Sequence, residues 1–213
     1  MTRRKPALEI EVKLPVTSLR ATRQKLRRAG YAVAIRRSME SNVLFDLPDG
    51  SLRRSAQAVR LRHYRGRWVL TYKGPGTVTP QGHKARPEHE CELTHPEALL
   101  RSFAAAGLKP SLRYEKYRTE FRRPGGFPVL LDATPIGAFL ELEGPARWID
   151  RTARQLGYQP CDYISASYLA LFAEFLAKNR LPPADMVFGG PDAEAGTRKQ
   201  RAKRSGGDSR TRT

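Results

Sequence analysis

The sequence predicts an α+β protein: an antiparallel sheet with one charged and one apolar face, and helices laid on the apolar one. Three observations point there. Apolar and ionisable residues alternate along segment after segment, the period of a strand whose side chains face opposite ways in turn. Pairs containing glycine separate several of these segments at turn or hairpin spacing. Four other segments carry the start and stop signals of helices.

In chain order, residues 8–14 come first, with Glu9, Glu11 and Lys13 on one face and Leu8, Ile10, Val12 and Leu14 on the other. Thr17 or Ser18 caps a helix through Ala29 that Gly30 stops. Extended segments follow at 31–36 and 42–46, then a turn at Asp49 and Gly50. Residues 58–65 set Arg60 and Arg62 against Val59 and Leu61, and Arg65 with Gly66 turns the chain into 67–73, which ends at Lys73. In 84–94, Arg86, Glu88, Glu90 and Glu92 alternate with His89, Cys91 and Leu93. A helix over 96–106 stops at Gly107. Along 112–123, Lys116, Arg118 and Glu120 alternate with Tyr117 and Phe121, and Gly125 and Gly126 turn into 127–133, where Asp132 opposes Leu131 and Ala133. Residues 138–143 set Glu141 and Glu143 against Leu140 and Leu142. A helix over 146–156 stops at Gly157. A last helix, 163–178, has Asp162 as its expected cap and buries Ile164, Tyr168, Leu171, Phe172, Phe175 and Leu176 as core rather than as a ligand box.

These elements form one domain over residues 1–181. Beyond it Pro182, Pro183, Gly189, Gly190 and Pro191 break regular structure, and residues 193–213 contain no Phe, Trp, Tyr, Leu, Ile or Val. A disordered basic tail is therefore expected over 182–213. The formal charge is +18, and the tail holds seven basic against four acidic residues, so most of the excess belongs to the body. Such an excess suits an anionic partner: nucleic acid, phospholipid or polyphosphate. Nucleic acid is expected only as a weak contact of residues 199–204. Cys91 and Cys161 have neither disulfide-framework nor metal-ligand spacing and read as buried free thiols of a reducing cytosol. The basic N-terminus lacks the apolar run of a signal peptide, and no stretch approaches a membrane span. The expected location is cytoplasmic, with no membrane partner. His63, His83, His89 and His95 are scattered and read as structural or solvated.

The charged face carries chemistry. Arg forks bind phosphate oxygens bidentately and Lys binds them as a point charge. Mg²⁺ or Mn²⁺ takes hard oxygen ligands from carboxylates and phosphates. If the strands close, this face becomes the lumen of a barrel, suited to phosphoryl transfer, which is largely positioning and charge neutralisation. No Ser-His-Asp or Cys-His arrangement is evident.

Glu9-x-Glu11-x-Lys13 resembles the ExExK signature of the CYTH superfamily, the triphosphate tunnel metalloenzymes. The order of later segments strengthens the likeness: NVLFDLPDGSLRRSAQAVRLR (42–62) resembles the family's segment ending in an RxR pair, LTYKGP (70–75) its lysine strand and RPEHE (86–90) its R-x-E-x-E strand. EKYR (115–118) resembles its K-x-R strand, and LDATPIGAFLELEG (131–144) its aspartate strand followed by ExE. The resemblance covers about residues 7 to 178 and implies a closed eight-stranded antiparallel β-barrel, a tunnel with helices packed outside. Residues 31–36 and 42–46 are then one long or bent strand.

The resemblance further implies a metal-dependent enzyme that hydrolyses or cyclises a triphosphate with Mg²⁺ or Mn²⁺. Lys13, Arg60, Arg62, Lys73, Arg86, Lys116 and Arg118 would bind phosphates. Glu9, Glu11, Glu141 and Glu143 would hold metal, with Glu88, Glu90 and Asp132 ligating directly or through water. Glu9, Glu11, Lys13 and Lys73 are the residues on which turnover is expected to depend. The leading expectation is a triphosphatase acting on inorganic triphosphate, a nucleoside triphosphate or thiamine triphosphate. The alternatives are a class IV type adenylyl cyclase, forming cyclic AMP and pyrophosphate, and a non-catalytic polyphosphate-binding module. The expected partner is a triphosphate-containing small molecule. The family often pairs as dimers, which carries over an expected homodimer.

Overall fold

The structure, a computed structural model, describes residues 7–189. It begins with β1 (Ala7–Val16), α1 (Leu19–Arg28), β2 (Ala32–Asp46) and the single turn α2 (Ser51–Arg54). Next come β3 (Ala58–Tyr64), β4 (Arg67–Lys73), the two-residue β5 (Thr77–Val78) and β6 (Lys84–Leu93). The described residues continue with α3 (Pro96–Ala105), β7 (Lys109–Arg122), β8 (Val129–Thr134), β9 (Gly137–Glu143), α4 (Ala146–Gln155), a 3₁₀ turn (Pro160–Asp162) and α5 (Tyr168–Asn179). Neighbours run β1-β9-β8-β7-β2-β3-β4-β6, and β6 pairs back onto β1. The result is a closed eight-stranded antiparallel barrel, with the short β5 paired to β6.

The two extended segments predicted in 31–46 are one strand. Irregular register against β7 at Val33/Ile35, Ile35/Ser38 and Leu44/Phe45 bends β2 around the cylinder. The β3–β4 hairpin turns on Arg65 (φ 52) and Gly66 (φ 76), the left-handed pair that matches strand twist. The closing junction is short: β1 meets β6 only from Ala7 opposite Glu88 to Glu11 opposite Lys84. Above it the backbones of Lys13 and Ile164 exchange hydrogen bonds of 3.1 and 2.9 Å, plugging the gap.

The core lies outside the barrel wall. Val12, Leu14, Leu131, Leu140 and Leu142 point outward and are covered by Leu26 of α1, Ile149 and Ala153 of α4, and Leu156 just after it. A second cluster sets Tyr168 and Phe172 of α5 against Tyr114 and Met186. Helices take the apolar face, which leaves the ionic face to the interior.

Several expectations are corrected. The last helix starts at Tyr168, with the Ser167 side chain as its cap, because Ile164 is engaged by β1. Asp162 instead accepts from the Gln159 backbone and closes the 3₁₀ turn. The expected disordered tail begins too early. Within 182–189, Met186 bridges to Tyr114 and is buried, Asp185 accepts from the Arg113 amide, and the Phe188 ring packs at a tilt against Tyr117. The rest of that expected tail, 190–213, lies outside the described residues. Cys91 and Cys161 are free, as expected, but exposed rather than buried. Neither α2 nor β5 was expected. Among the described residues no helix is long and apolar enough to cross a membrane.

Candidate active site

Strand alternation in a closed barrel turns every second residue inward. The interior cavity of about 740 Å³ is lined by all seven expected phosphate binders: Lys13, Arg60, Arg62, Lys73, Arg86, Lys116 and Arg118. Glu9, Glu11, Glu88, Glu90, Glu141 and Glu143 line it too. The register explains the convergence: Glu9 faces Arg86, Glu11 faces both Lys84 and Glu143, and Lys13 faces Glu141.

Three of the seven expected metal ligands come together. Glu9, Glu11 and Glu143 each offer a carboxylate oxygen, all within 4.8 Å of one another. Burial and the neighbouring Glu141 push Glu143 up to about 7, the mark of a cluster short of positive charge. Hard carboxylate oxygens at this spacing suit Mg²⁺ or Mn²⁺.

The other four acids serve cations. Asp132 has no exposed surface and does not line the cavity. It accepts from Lys116 at 2.8 Å, from Arg118 at 2.8 and 2.7 Å and from the Tyr168 hydroxyl at 3.0 Å. It thus stands apart from the metal cluster and orients the two cations in front of it. Glu141 is ringed by Lys13 at 3.6 Å, Lys116 at 3.7 Å and Arg118. Glu90 accepts from Arg62 at 3.1 Å and Thr71 at 3.0 Å. Glu88 lies 2.9 Å from Lys73, which also donates to Glu9 at 2.7 Å. Burial and the neighbouring Glu9 carboxyl push Glu88 up to about 8, whereas Glu88 and Lys73 lower Glu9 to about 2 against its own burial.

Some cations remain available. Among the described residues Arg86 makes no ion pair, and the Nε atoms of Arg60 and Arg86 are buried without an acceptor. Such donors fit an anion with several oxygens.

Sequence reasoning missed Glu40, Asn42, Lys84, Tyr114 and Tyr168. Glu40 is fully buried, 3.6 Å from Lys116 and 3.9 Å from Arg118. It alternates with Asn42 and Leu44 on the inner face of β2, a pattern hidden by the bulges just before it. Lys84 stands two residues before Arg86 and so shares its face, a readable signal. Burial lowers it to about 8, and its Nζ is 3.7 Å from Glu11. Tyr168 is core as expected and also lines the cavity, with Lys116 4.8 Å and Lys13 5.3 Å from its ring centre. The expectation for the histidines holds: His83, nearly buried, meets Asp150 at 2.8 Å and Thr79 at 3.1 Å outside the barrel.

The CYTH domain family model matches residues 7–168. A Methanocaldococcus jannaschii protein described as a candidate adenylate cyclase is 26% identical over 136 residues, covering 64% of this chain and 76% of that protein. Among solved structures, a candidate adenylate cyclase from Vibrio parahaemolyticus superposes with a TM-score of 0.69 at 20% identity, covering 79% of this chain and 99% of that one. A Pyrococcus horikoshii protein gives 0.65 at 23% identity, with 78% and 99% covered. A Hippeastrum protein described as a candidate adenylyl cyclase with a dominant triphosphatase activity gives 0.58 at 20% identity, with 79% and 95% covered. At these identities the structural likeness establishes the barrel fold alone.

Proposed function

The chain belongs to the CYTH domain family, and from that premise we propose a divalent-metal-dependent triphosphatase working inside the barrel on inorganic, nucleoside or another organic triphosphate. The observation that carries this reading is the convergence of Glu9, Glu11 and Glu143 within 4.8 Å, beside a cavity wall dense in Arg and Lys. Those three carboxylates would hold Mg²⁺ or Mn²⁺, which supplies charge neutralisation and a more acidic bound water. Arg60, Arg62, Arg86 and Arg118 bind phosphate oxygens through forked donors, and Lys116 and Lys13 add point charges. Asp132, Glu40 and Glu141 hold Lys116 and Arg118 in place beforehand, so little reorganisation is needed as charge shifts during transfer. Lys73, tied to Glu9 and Glu88, positions the phosphate next to the metal ligands. The two exposed free thiols fit a reducing cytosol.

A second reading is cyclisation of ATP, in which the ribose 3′-hydroxyl attacks the α-phosphate and pyrophosphate leaves. The volume of about 740 Å³ favours room for a nucleoside. So do Leu44, Ala56, Gln57 and Ala58, uncharged lining residues beside Arg53 where β2 ends and β3 begins. Non-catalytic polyphosphate binding is disfavoured by the interior carboxylates, which repel an unaccompanied polyanion.

Incubation of purified protein with tripolyphosphate, ATP or thiamine triphosphate, each with Mg²⁺ or Mn²⁺, tests these readings. Metal-dependent phosphate release, abolished in Glu11→Gln, is the expected outcome. Cyclic AMP as the dominant ATP product would overturn hydrolysis in favour of the cyclase. Metal-independent binding without turnover, surviving Glu141→Gln and Glu143→Gln, would overturn both.

A further inference from the structure

The outside of the barrel carries a second concentration of cations that the tunnel does not use. Helix α1 reads LRATRQKLRR: five basic residues and no acid. On α4, Arg147, Arg151 and Arg154 recur at helical spacing on one exposed ridge. The one acid of that helix, Asp150, is engaged by His83 and Tyr163 at 2.8 and 2.9 Å. The two helices are joined: the Lys25 ammonium donates to the Leu156 carbonyl at 3.4 Å, and Arg123 reaches Gln155 at 3.4 Å while lying over the Tyr31 ring. On β2, exposed Arg37 lies over the Tyr117 ring. Among the described residues, Arg27, Arg28, Arg151 and Arg154 enter no ion pair, and all four are exposed.

We propose that this face docks the phosphodiester backbone of a nucleic acid, outside the tunnel and without reading sequence. Three features favour that partner over other polyanions or surfaces. The cations are almost all Arg, whose planar fork matches phosphate. They are spread over two helices and a strand, so they address a repeating chain of charges rather than one ion. The leucines of α1, Leu19 and Leu26, pack inward against the core, so the helix offers no large apolar side chain of the kind that seats a helix in a membrane surface. The expected nucleic-acid contact is the tail at 199–204; helices α1 and α4 carry a second array with more cations.

Anisotropy of a labelled duplex and of a labelled single strand, titrated with the full chain, tests the proposal. A saturating unlabelled nonhydrolysable triphosphate with Mn²⁺ keeps the tunnel filled. Affinity is expected to fall linearly, on logarithmic axes, with salt between about 50 and 200 mM. The variant Arg27→Gln, Arg28→Gln, Arg151→Gln, Arg154→Gln should weaken binding by roughly tenfold or more and flatten the slope by about 0.9 per lost duplex contact. Triphosphate turnover and thermal stability should match the parent. The double variant Arg151→Gln, Arg154→Gln should show a smaller loss of the same kind, which keeps the test valid should the fourfold variant misfold. Four results would each overturn the proposal: no binding by the parent at about 50 mM salt, unchanged affinity in the variants, loss only on neutralising Lys199, Arg201, Lys203 and Arg204, or binding to phosphatidylserine vesicles but not to nucleic acid.

Discussion

Glu40 has no exposed surface and faces Lys116 and Arg118. Burial opposes its charge, but those cations hold the carboxyl at about 2 against an ordinary 4.5. A lowered carboxylate stabilises the fold fully above about pH 4.5, and that contribution disappears as the pH falls toward 2. Glu40→Gln should therefore cost about 3 kcal/mol at pH 7, with the difference from the parent closing in acid. Urea unfolding across pH checks this, and an equal gap at about pH 3 and 7 would contradict it. Glu143 is the opposite case, crowded by Glu9 and Glu11. Glu143→Gln relieves that repulsion, so the metal-free variant should melt at or above the parent temperature while losing turnover and the stabilisation by Mn²⁺. Thermal melts with and without Mn²⁺ measure both. The inward acids and bases of straight strands were legible because alternation alone assigns their face. Glu40 was not, because irregular register just before it resets the alternation. The division of labour among the acids was also hidden: Asp132 and Glu143 look alike as letters, and only the cations facing Asp132 separate them.

At the level of elements, residues 182–189 show how composition misleads. Two prolines and a glycine-rich stretch read as disorder, yet Met186 is buried against Tyr114, Tyr168 and Phe172. The order comes from partners far away in sequence, which no local window contains. Met186→Ala should destabilise by about 2–5 kcal/mol, measurable by chemical denaturation. A value near zero would return the segment to the tail. The last helix was placed correctly in kind but started early, because Ile164 fits its apolar period. The claim of β1 on the Ile164 backbone wins over helix propagation, and the Ser167 hydroxyl then caps the shorter helix by accepting from the Ala170 amide.

At the level of the molecule, the alternating faces announced a two-sided sheet. Closure was legible only through the family resemblance, since it depends on register between β1 and β6, which no periodicity encodes. A ligand that touches the whole circumference should stabilise the whole fold. A nonhydrolysable triphosphate with Mn²⁺, at about a hundredfold over its dissociation constant, should add about 2.7 kcal/mol. Thermal shift reads this, and Glu11→Gln should abolish it. The short β1–β6 junction gives that stabilisation a place. A hoop gives way at its short joints, and at this one Glu9 and Glu11 stand on one stave while Arg86 and Lys84 stand on the next. A cargo gripped from both staves is a rivet across the joint, so filling the tunnel and fastening the hoop are one event.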